Sequence, residues 1–333
     1  MKKILSLLLS MCMVGMLLVA CSSTNDTTES TEEAFAEESA AEESNTEENF
    51  KITFVSPLVA SPYFVVMENG IKAAAEELGI EVECVGTSVL DMNKWMEYVD
   101  AAIANESDAI ITMTLNEAAL MPAIELASEK DIPFILVDTD APDSSRISYL
   151  GTNNKEAGRA LGEELIRLTG GEAKIGLMSG ALDQPNLNLR VEGFREAIAD
   201  SPGMEEITFE VNDSDLAKGI EKTEAMLTAY PEITALVGFE TFCIPGFSRV
   251  VSERGVQDQI TIVGFDDTDD TINSIKEGIA DGTIVQRQYL MGYEAVKTAV
   301  AALRGEAYEE IVDTGVVFLN QDNIETFDPE SVQ

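Results

Sequence analysis

Histidine is absent from the 333-residue sequence, and cysteine occurs only 4 times. The first absence excludes histidine-containing zinc sites, histidine general bases and Ser-His-Asp triads. The cysteines are too far apart in the chain for a CxxC metal or redox motif. No pair of carboxylates stands in a context typical of an acid and its base. We therefore expect neither an enzyme nor a bound metal ion or cofactor.

Positive charge is also scarce, because 21 Lys and Arg face 61 Asp and Glu, for a net charge of −40. A body of this charge repels phosphate backbones and anionic lipid surfaces. The composition thus argues against a nucleic-acid partner. The excess of acid is typical of a chain kept soluble by charge.

The N-terminus has the pattern of an export signal. Lys2 and Lys3 precede an apolar stretch over 4–20 that is too short and wrongly flanked for a stable membrane span. We predict a signal peptide over 1–20. A small residue, Ala20, stands directly before Cys21, and lipoprotein processing enzymes recognise this order. Cys21 is therefore predicted to carry lipid and to anchor the protein outside the cytoplasm. An ordinary secretory signal with an incidental cysteine is the alternative.

The segment 21–49 contains ten Asp or Glu, no Lys or Arg, and few apolar residues. Such a segment cannot bury enough surface to offset the entropy of ordering it. We predict a disordered acidic tether.

From Lys51 onward, short apolar runs alternate with amphipathic helical runs. The runs are apolar on both faces and bounded by turn residues, which predicts parallel strands covered by helices. Predicted strands cover 52–55, 82–85, 109–112, 134–137, 175–178, 235–237 and 260–263. Predicted helices cover 64–78, 91–105, 116–130 and 154–169, with Asn caps at the last two.

The two halves of this region resemble each other. The segment 70–74 recurs at 193–197, and the segment 132–138 recurs at 259–266, with a nearly constant offset. The alternative is that any strand–helix sequence resembles itself when it is shifted by one unit. We predict an α/β protein of two doubly wound parallel-sheet lobes, with polar side chains at the carboxyl ends of the strands, where such sheets bind ligands.

Five short segments, none diagnostic alone, carry a family resemblance when taken in order. They are Ser-Pro-Tyr-Phe at 61–64, Val-Asp-Thr-Asp at 137–140, Arg-Val-Glu-Gly-Phe at 190–194, Ile-Val-Gly-Phe-Asp at 262–266 and Thr-Ile-Val-Gln at 283–286. From Lys51 nearly to the end, the chain resembles the periplasmic sugar-binding proteins of the ribose and galactose type, which have the type I periplasmic binding protein fold.

The resemblance implies a three-strand hinge, with crossings near 151–154, 286–288 and 313–315. Lobe one would comprise 50–152 plus 287–313, and lobe two 153–286 plus 314–333. The family pattern implies that two aromatic residues stack on a sugar ring and that four polar residues bind its hydroxyl groups. With two further residues at the strand ends, the predicted ligand site is Ser61, Tyr63, Phe64, Asp138, Arg190, Glu240, Asp266 and Gln286. Planar side chains with two polar atoms suit vicinal hydroxyls, and aromatic rings suit C–H faces.

Several of these residues have alternative structural interpretations. Asp138 and Asp266 are also placed to cap helices, Arg190 could be a surface charge, and Phe64 could be core. Asp-Asp-Thr-Asp-Asp at 266–270 lacks the glycine and late glutamate of a calcium loop. Trp95 is predicted to be core or surface, outside the pocket.

The chain departs from the ribose-type pattern at three positions. Thr139 stands where an arginine is expected, Ser214 where an aromatic residue is expected, and Glu240 where an asparagine is expected. A different ring, an amino sugar or another polyol would suit these changes. Glu240 could be protonated, could meet a cationic ligand, or could point outward while Thr241 takes its place.

The resemblance implies a solute-binding lipoprotein that captures a sugar or polyol and delivers it to the permease of an ABC importer. We expect it to act as a monomer. A ligand-sensing subunit for a membrane kinase or chemoreceptor would use the same cleft, and the sequence does not separate the two.

Overall fold

A computed structural model describes residues 50–182 and 184–331. The predicted signal peptide, Cys21 and the acidic segment 21–49 lie outside the described residues. Within the described part, no helix combines the length and the apolar character needed to cross a membrane.

Strands and helices alternate along most of the described chain. The strands are β1 (Lys51–Ser56), β2 (Glu81–Gly86), β3 (Ala109–Thr112), β4 (Phe134–Val137), β5 (Ser148–Gly151), β6 (Glu172–Ser179), β7 (Gly203–Val211), β8 (Ala235–Gly238), β9 (Thr261–Phe265), β10 (Gly282–Gln286), β11 (Ile311–Asp313) and β12 (Val316–Leu319). The helices are α1 (Pro62–Leu78), α2 (Met92–Ala104), α3 (Glu117–Glu129), α4 (Asn154–Thr169), α5 (Pro185–Ile198), α6 (Leu216–Ala229), α7 (Cys243–Arg254), α8 (Asp269–Lys276) and α9 (Gln288–Arg304).

The strands form two sheets of six, with the orders β11-β5-β4-β3-β1-β2 and β12-β10-β9-β8-β6-β7. All neighbours pair in parallel except β12, which runs antiparallel to β10. The two orders match position by position, so the sheets share one topology except for the direction of the last edge strand, which is parallel for β11 and antiparallel for β12. The predicted α/β class with two doubly wound lobes is confirmed. Lobe one below denotes the sheet with β1 and its helices, and lobe two denotes the other.

The central strands form where the sequence is apolar on both faces. Every residue of β3, β4 and β8 is buried, as expected for parallel strands covered on both sides. Trp95 is buried in the core of lobe one and donates a hydrogen bond from its indole nitrogen to the Oγ1 atom of Thr112 at 3.3 Å. Its predicted placement as core or surface, away from the pocket, is confirmed as core.

Local signals fix the helix ends with small shifts from prediction. Gly79 ends α1 in the left-handed conformation, at φ +68°, where glycine is favoured. Asn116 caps α3 as predicted, by accepting from the amide of Ala119 at 3.0 Å. The cap of α4 is Asn153 and not Asn154, because the Asn153 side chain accepts from the third residue that follows it.

The chain passes between the sheets three times, between β5 and α4, between β10 and α9, and between β11 and β12. Hydrogen bonds join the first passage to the third. The amide of Asn153 donates to the Oδ1 atom of Asp313 at 3.1 Å, and the amide of Thr314 donates to the carbonyl of Gly151 at 2.9 Å. The first and third passages therefore lie side by side.

Two helix pairs pack more closely than side chains normally allow. In lobe two, a methyl group added at Gly158 of α4 would lie 1.9 Å from the carbonyl oxygen of Arg190 in α5. In lobe one, a methyl group at Gly70 of α1 would lie 2.0 Å from the carbonyl oxygen of Tyr289 in α9. Real side chains never approach backbone atoms this closely, so only glycine permits these contacts.

Gly158→Ala is expected to lower the free energy of unfolding by about 2 kcal/mol, because overpacking a tight contact forces the backbone apart. Gly219→Ala is the matched control, since a methyl group there meets other atoms only at 3.5 Å or more. This variant should be neutral or more stable by about 0.5 kcal/mol, as helix propensity predicts. Urea unfolding measures both. Equal unfolding midpoints for the two variants would contradict the proposed constraint.

Candidate functional site

The predicted site residues lie at corresponding edges of the two sheets. In a parallel sheet, the carboxyl ends of all strands lie along one edge. Tyr63 follows β1 and Asp138 follows β4 in lobe one, while Glu240 follows β8 and Asp266 follows β9 in lobe two. Polar groups thus converge on the edge of each lobe.

Asp138 is held firmly by neutral groups of lobe one. Its backbone has φ +62°, its amide donates to the carbonyl of Leu150 at 2.9 Å, and its carbonyl accepts from the Tyr149 hydroxyl at 2.7 Å. The Tyr63 hydroxyl donates to one carboxylate oxygen of Asp138, and the Thr139 hydroxyl donates to the other at 2.7 Å. Thr139, which stands where the family pattern has an arginine, therefore orients the aspartate.

Charges of lobe two act on Asp138. Burial raises the pKa of its carboxyl, and the negative charge of Asp266 adds to that rise. The hydrogen bonds from Tyr63 and Thr139 and the positive charge of Arg190 act in the opposite direction. Burial and the neighbouring Asp138 also raise the pKa of Tyr63 well above its ordinary value. Charged groups of the two lobes are thus near enough to influence one another.

Asp266 repeats the backbone geometry of Asp138. Its φ is +70°, its amide donates to the carbonyl of Ile284 at 2.8 Å, and its carbonyl accepts from the Thr283 hydroxyl at 2.8 Å. The Thr241 hydroxyl donates to Oδ2 at 2.6 Å, and the side-chain amide of Gln286 donates to Oδ1 at 3.1 Å. Both aspartates are therefore presented at strand ends by the same local structure.

Neither aspartate caps a helix. Thr268 caps α8 by accepting from the amide of Thr271 at 3.3 Å, and Asp138 precedes the loop that leads to β5. The capping interpretation is therefore wrong. Asp269 and Asp270 lie exposed in the first turn of α8, where acidic residues favour the helix dipole. Within residues 50–182 and 184–331, no group of acidic and cysteine side chains is arranged to hold a metal ion.

Arg190 is a buried cation, with only 3% of its surface exposed. Its Nε atom donates to the Oδ1 atom of Asn154 at 2.8 Å, and one terminal nitrogen donates to the carbonyl of Phe239 at 3.1 Å. The guanidinium lies over the ring of Phe265 at 4.2 Å, a favourable cation–π distance. All these partners are neutral. The interpretation of Arg190 as a surface charge is wrong, because α5 directs it inward.

The aromatic pair opens α1. The rings of Tyr63 and Phe64 meet edge to face, with centroids 5.2 Å apart, and both are half-buried against the core of lobe one. Ser61 is the N-cap residue of α1, but its hydroxyl makes no capping hydrogen bond. Among the predicted site residues, Tyr63 is hydrogen-bonded to Asp138, and Gln286 is hydrogen-bonded to Asp266.

Glu240 is 6% exposed and points into lobe two. Its Oε1 atom accepts from the side-chain amide of Asn212 at 2.6 Å and from the thiol of Cys243 at 3.2 Å, and its Oε2 atom accepts from the amide of Phe242 at 3.0 Å. The reading of Glu240 as an outward surface charge is wrong. The next residue, Thr241, contacts Asp266.

Three residues near the site were not predicted. Asn212 orients Glu240, Asn154 orients Arg190, and Thr152 donates to Gln286 at 3.1 Å. The sequence holds one usable signal for the last two, since both are polar residues within the predicted crossing 151–154. Asn212 carries no such signal, because its partner lies in another strand–helix unit.

Glu240→Gln is expected to lower the free energy of unfolding by about 1–2 kcal/mol. One carboxylate oxygen of Glu240 accepts from the side-chain amide of Asn212, and the other accepts from the backbone amide of Phe242. The glutamine side chain replaces one of these oxygens with an NH2 group, so two donors would face each other at that position. Chemical denaturation is the measurement, with Glu253→Gln as an exposed control that should change stability by less than about 0.5 kcal/mol. An undiminished stability of Glu240→Gln would show that these hydrogen bonds do not hold the loop.

The chain matches known proteins over the region just described. A family model described as a periplasmic binding protein domain matches residues 52–307. The ribose import binding protein RbsB of Haemophilus influenzae is 28% identical over 249 residues, which are 75% of this chain and 84% of that protein.

Solved structures give the same result. GanP, a glucose-galactose binding protein from Geobacillus stearothermophilus, has a TM-score of 0.76 and 30% identity, and the match covers 83% of this chain and 99% of that chain. A sugar-binding protein of a sugar ABC transporter from Bacillus halodurans has a TM-score of 0.81 and 25% identity, covering 84% and 100%. Extent and fold agree with the resemblance carried by the five segments, and this chain belongs to the periplasmic binding protein domain family.

Proposed function

We propose that this protein captures a sugar or a related polyol between its two lobes and delivers it to an ABC importer. The observation that carries the proposal is the matched pair Asp138 and Asp266, one from each lobe, presented by the same backbone geometry beside the buried Arg190. Relatives that are named ribose import binding proteins support the same function.

The chemistry of the site suits a polyol. Each carboxylate accepts hydrogen bonds from neutral groups on both of its oxygens and can accept further hydrogen bonds from hydroxyl groups. Hydrogen bonds to ionised partners are the stronger ones, so two carboxylates and a guanidinium offer both acceptors and donors of that kind. The edge-to-face rings of Tyr63 and Phe64 supply apolar surface for the C–H groups of a sugar.

The sensing alternative is not favoured, because several relatives are named as ribose or D-apiose import binding proteins. Catalysis is not part of the proposal. The family is one of periplasmic binding proteins.

We further propose that the protein acts as a monomer held outside the cytoplasm by lipid on Cys21, with the acidic segment 21–49 as its tether. The sequence before Cys21 supports this anchor. The passages between the sheets support lobe boundaries of 50–152 plus 287–313, and of 153–286 plus 314–333.

A thermal-shift screen tests the function with pentoses, hexoses, amino sugars and polyols. A ligand that binds only the folded protein raises its apparent stability by about 2.7 kcal/mol at 100 times the dissociation constant. A rise in the unfolding midpoint with one class of sugar is the expected result. No shift with any member of the panel would overturn sugar capture.

Arg190→Ala and Asp266→Ala should each weaken binding of the sugar with the largest shift by at least about tenfold. Loss of one charged partner in a buried contact typically costs about 2–5 kcal/mol. Calorimetry is the measurement, and Arg249→Ala is the control, because Arg249 is an exposed residue that pairs with Glu253 on the same helix. Affinities equal to that of the control would refute the assignment of these two residues.

Cys21→Ala should release the protein from the membrane fraction, since the anchor would lose its lipid. Cys12→Ala is the control, because bulky Met11 precedes Cys12 and makes it a poor processing site. Fractionation followed by immunoblotting measures the distribution. Equal membrane retention of both variants would contradict the proposed anchor.

A further inference from the structure

A continuous chain of hydrogen bonds runs between Arg190 and Asp266. It begins with the bond from Arg190 to the Oδ1 atom of Asn154 at 2.8 Å, and the Asn154 side-chain amide then donates to the carbonyl of Thr152 at 3.1 Å. The Thr152 hydroxyl donates to the Oε1 atom of Gln286 at 3.1 Å, and the Gln286 amide donates to Asp266 at 3.1 Å.

The middle of this chain lies at the crossings. Thr152 and Asn154 belong to the passage from β5 to α4, and Gln286 is the last residue of β10, where the chain leaves lobe two for α9. Thr152 is 3% exposed and Gln286 is 7% exposed, so water cannot readily replace their hydrogen bond. A buried hydrogen bond therefore links the first two crossings.

We propose that Thr152 is a positioning residue that couples the two ligand-binding charges to the hinge, an inference that rests on the proposed function. The amide of Gln286 is bonded at both ends, with its oxygen turned to Thr152 and its nitrogen turned to Asp266. The carboxylate of Asp266 can only accept, so it faces the amide nitrogen, and the Gln286 oxygen is left to accept from the Thr152 hydroxyl. Without that hydroxyl, the buried oxygen of Gln286 loses its donor, and the amide that contacts Asp266 is no longer held from the side of the first crossing.

The arrangement connects binding to movement. A ligand shifts a conformational equilibrium only through contacts that differ between the states. When two lobes close about a ligand, backbone angles change in the segments that connect them, and the Thr152–Gln286 bond spans two of these crossings. A ligand held by Arg190 and Asp266 would thus act on both ends of a chain whose centre lies at the crossings.

The neighbouring crossing supplies a matched control. Thr314 lies between β11 and β12 and is also 3% exposed, but its hydroxyl has no hydrogen-bond partner. Thr152→Val and Thr314→Val make the same chemical change in similar surroundings. Only the first removes a hydrogen bond, and Thr152→Ser restores the hydroxyl.

The test measures affinity and hinge protection in the full chain. Calorimetry with D-ribose, D-arabinose and D-galactose gives the affinities of the wild type and the three variants. Hydrogen–deuterium exchange of peptides covering 150–154 and 284–288, recorded without sugar, reports on the crossings independently of binding. Thr152→Val should bind about fivefold more weakly, the loss expected for one buried hydrogen bond, and should exchange at least about twofold faster. Thr152→Ser and Thr314→Val should resemble the wild type in both measurements.

The possible results separate this inference from the proposed function. If the wild type binds a sugar and Thr152→Val binds it equally well, the coupling is wrong and sugar capture stands. Equal losses in Thr152→Val and Thr314→Val would also overturn the coupling, since any hinge substitution would then have the same effect. If the wild type binds none of the three sugars, the proposed function loses its support from those ligands, and unchanged exchange in Thr152→Val would then overturn the coupling by itself.

Discussion

The close contact of two helix pairs is the constraint on which the site depends. In each pair, one helix begins at a crossing and the other carries site residues. α4 begins after the first crossing and packs on α5, which carries Arg190, while α9 begins after the second crossing and packs on α1, which carries Tyr63. Glycine contacts fix the spacing within both pairs. The side chains proposed to bind ligand are therefore placed relative to the crossings by close packing of helix backbones.

The two aspartates show how a duplicated topology yields an asymmetric site. Both adopt a left-handed backbone conformation, which is uncommon for residues other than glycine. Asp138 follows β4 and Asp266 follows β9, and these strands hold equivalent positions in the two sheets. Their partners differ, because Asp138 is held by residues of its own lobe only, whereas Asp266 is bonded to Gln286 at the second crossing. One lobe thus supplies a fixed acceptor, and the other supplies an acceptor joined to the hinge.

Most inner strands could be predicted from the sequence, but the inner strands β5 and β10 and the edge strands β7, β11 and β12 were not predicted. Runs such as those of β3 and β4 are apolar on both faces and could be predicted, whereas β7 and β11 are edge strands with few buried residues and no strong pattern. Helix starts differ from the predicted ones by at most two residues, and the cap of α4 was misassigned because the neighbouring Asn153 and Asn154 offer equivalent side chains.

The site residues also differ in how far they could be predicted from the sequence. The aspartates could be located because they directly follow buried strands, and the family resemblance pointed to Arg190. The direction of Glu240 could not be predicted, since Asn212, which orients it, lies in a different unit of the chain. Nor could the burial of Arg190 be derived from pattern, because it depends on a cation–π contact with Phe265 that only the fold creates.

The pairing of β5 with β11 has a consequence for how the chain acquires its structure. Lobe one takes its first five strands from the beginning of the described region, but β11 and α9 come from near its end, after nearly all of lobe two. The sheet and helical cover of lobe one therefore cannot be completed until the later part of the chain is available. Contacts between such distant segments slow folding, because the entropy of closing the intervening loop must be overcome first. In a chain that emerges N-terminus first, most strands of lobe two can pair while lobe one still presents an open edge at β5, and that edge is the part most exposed to premature association.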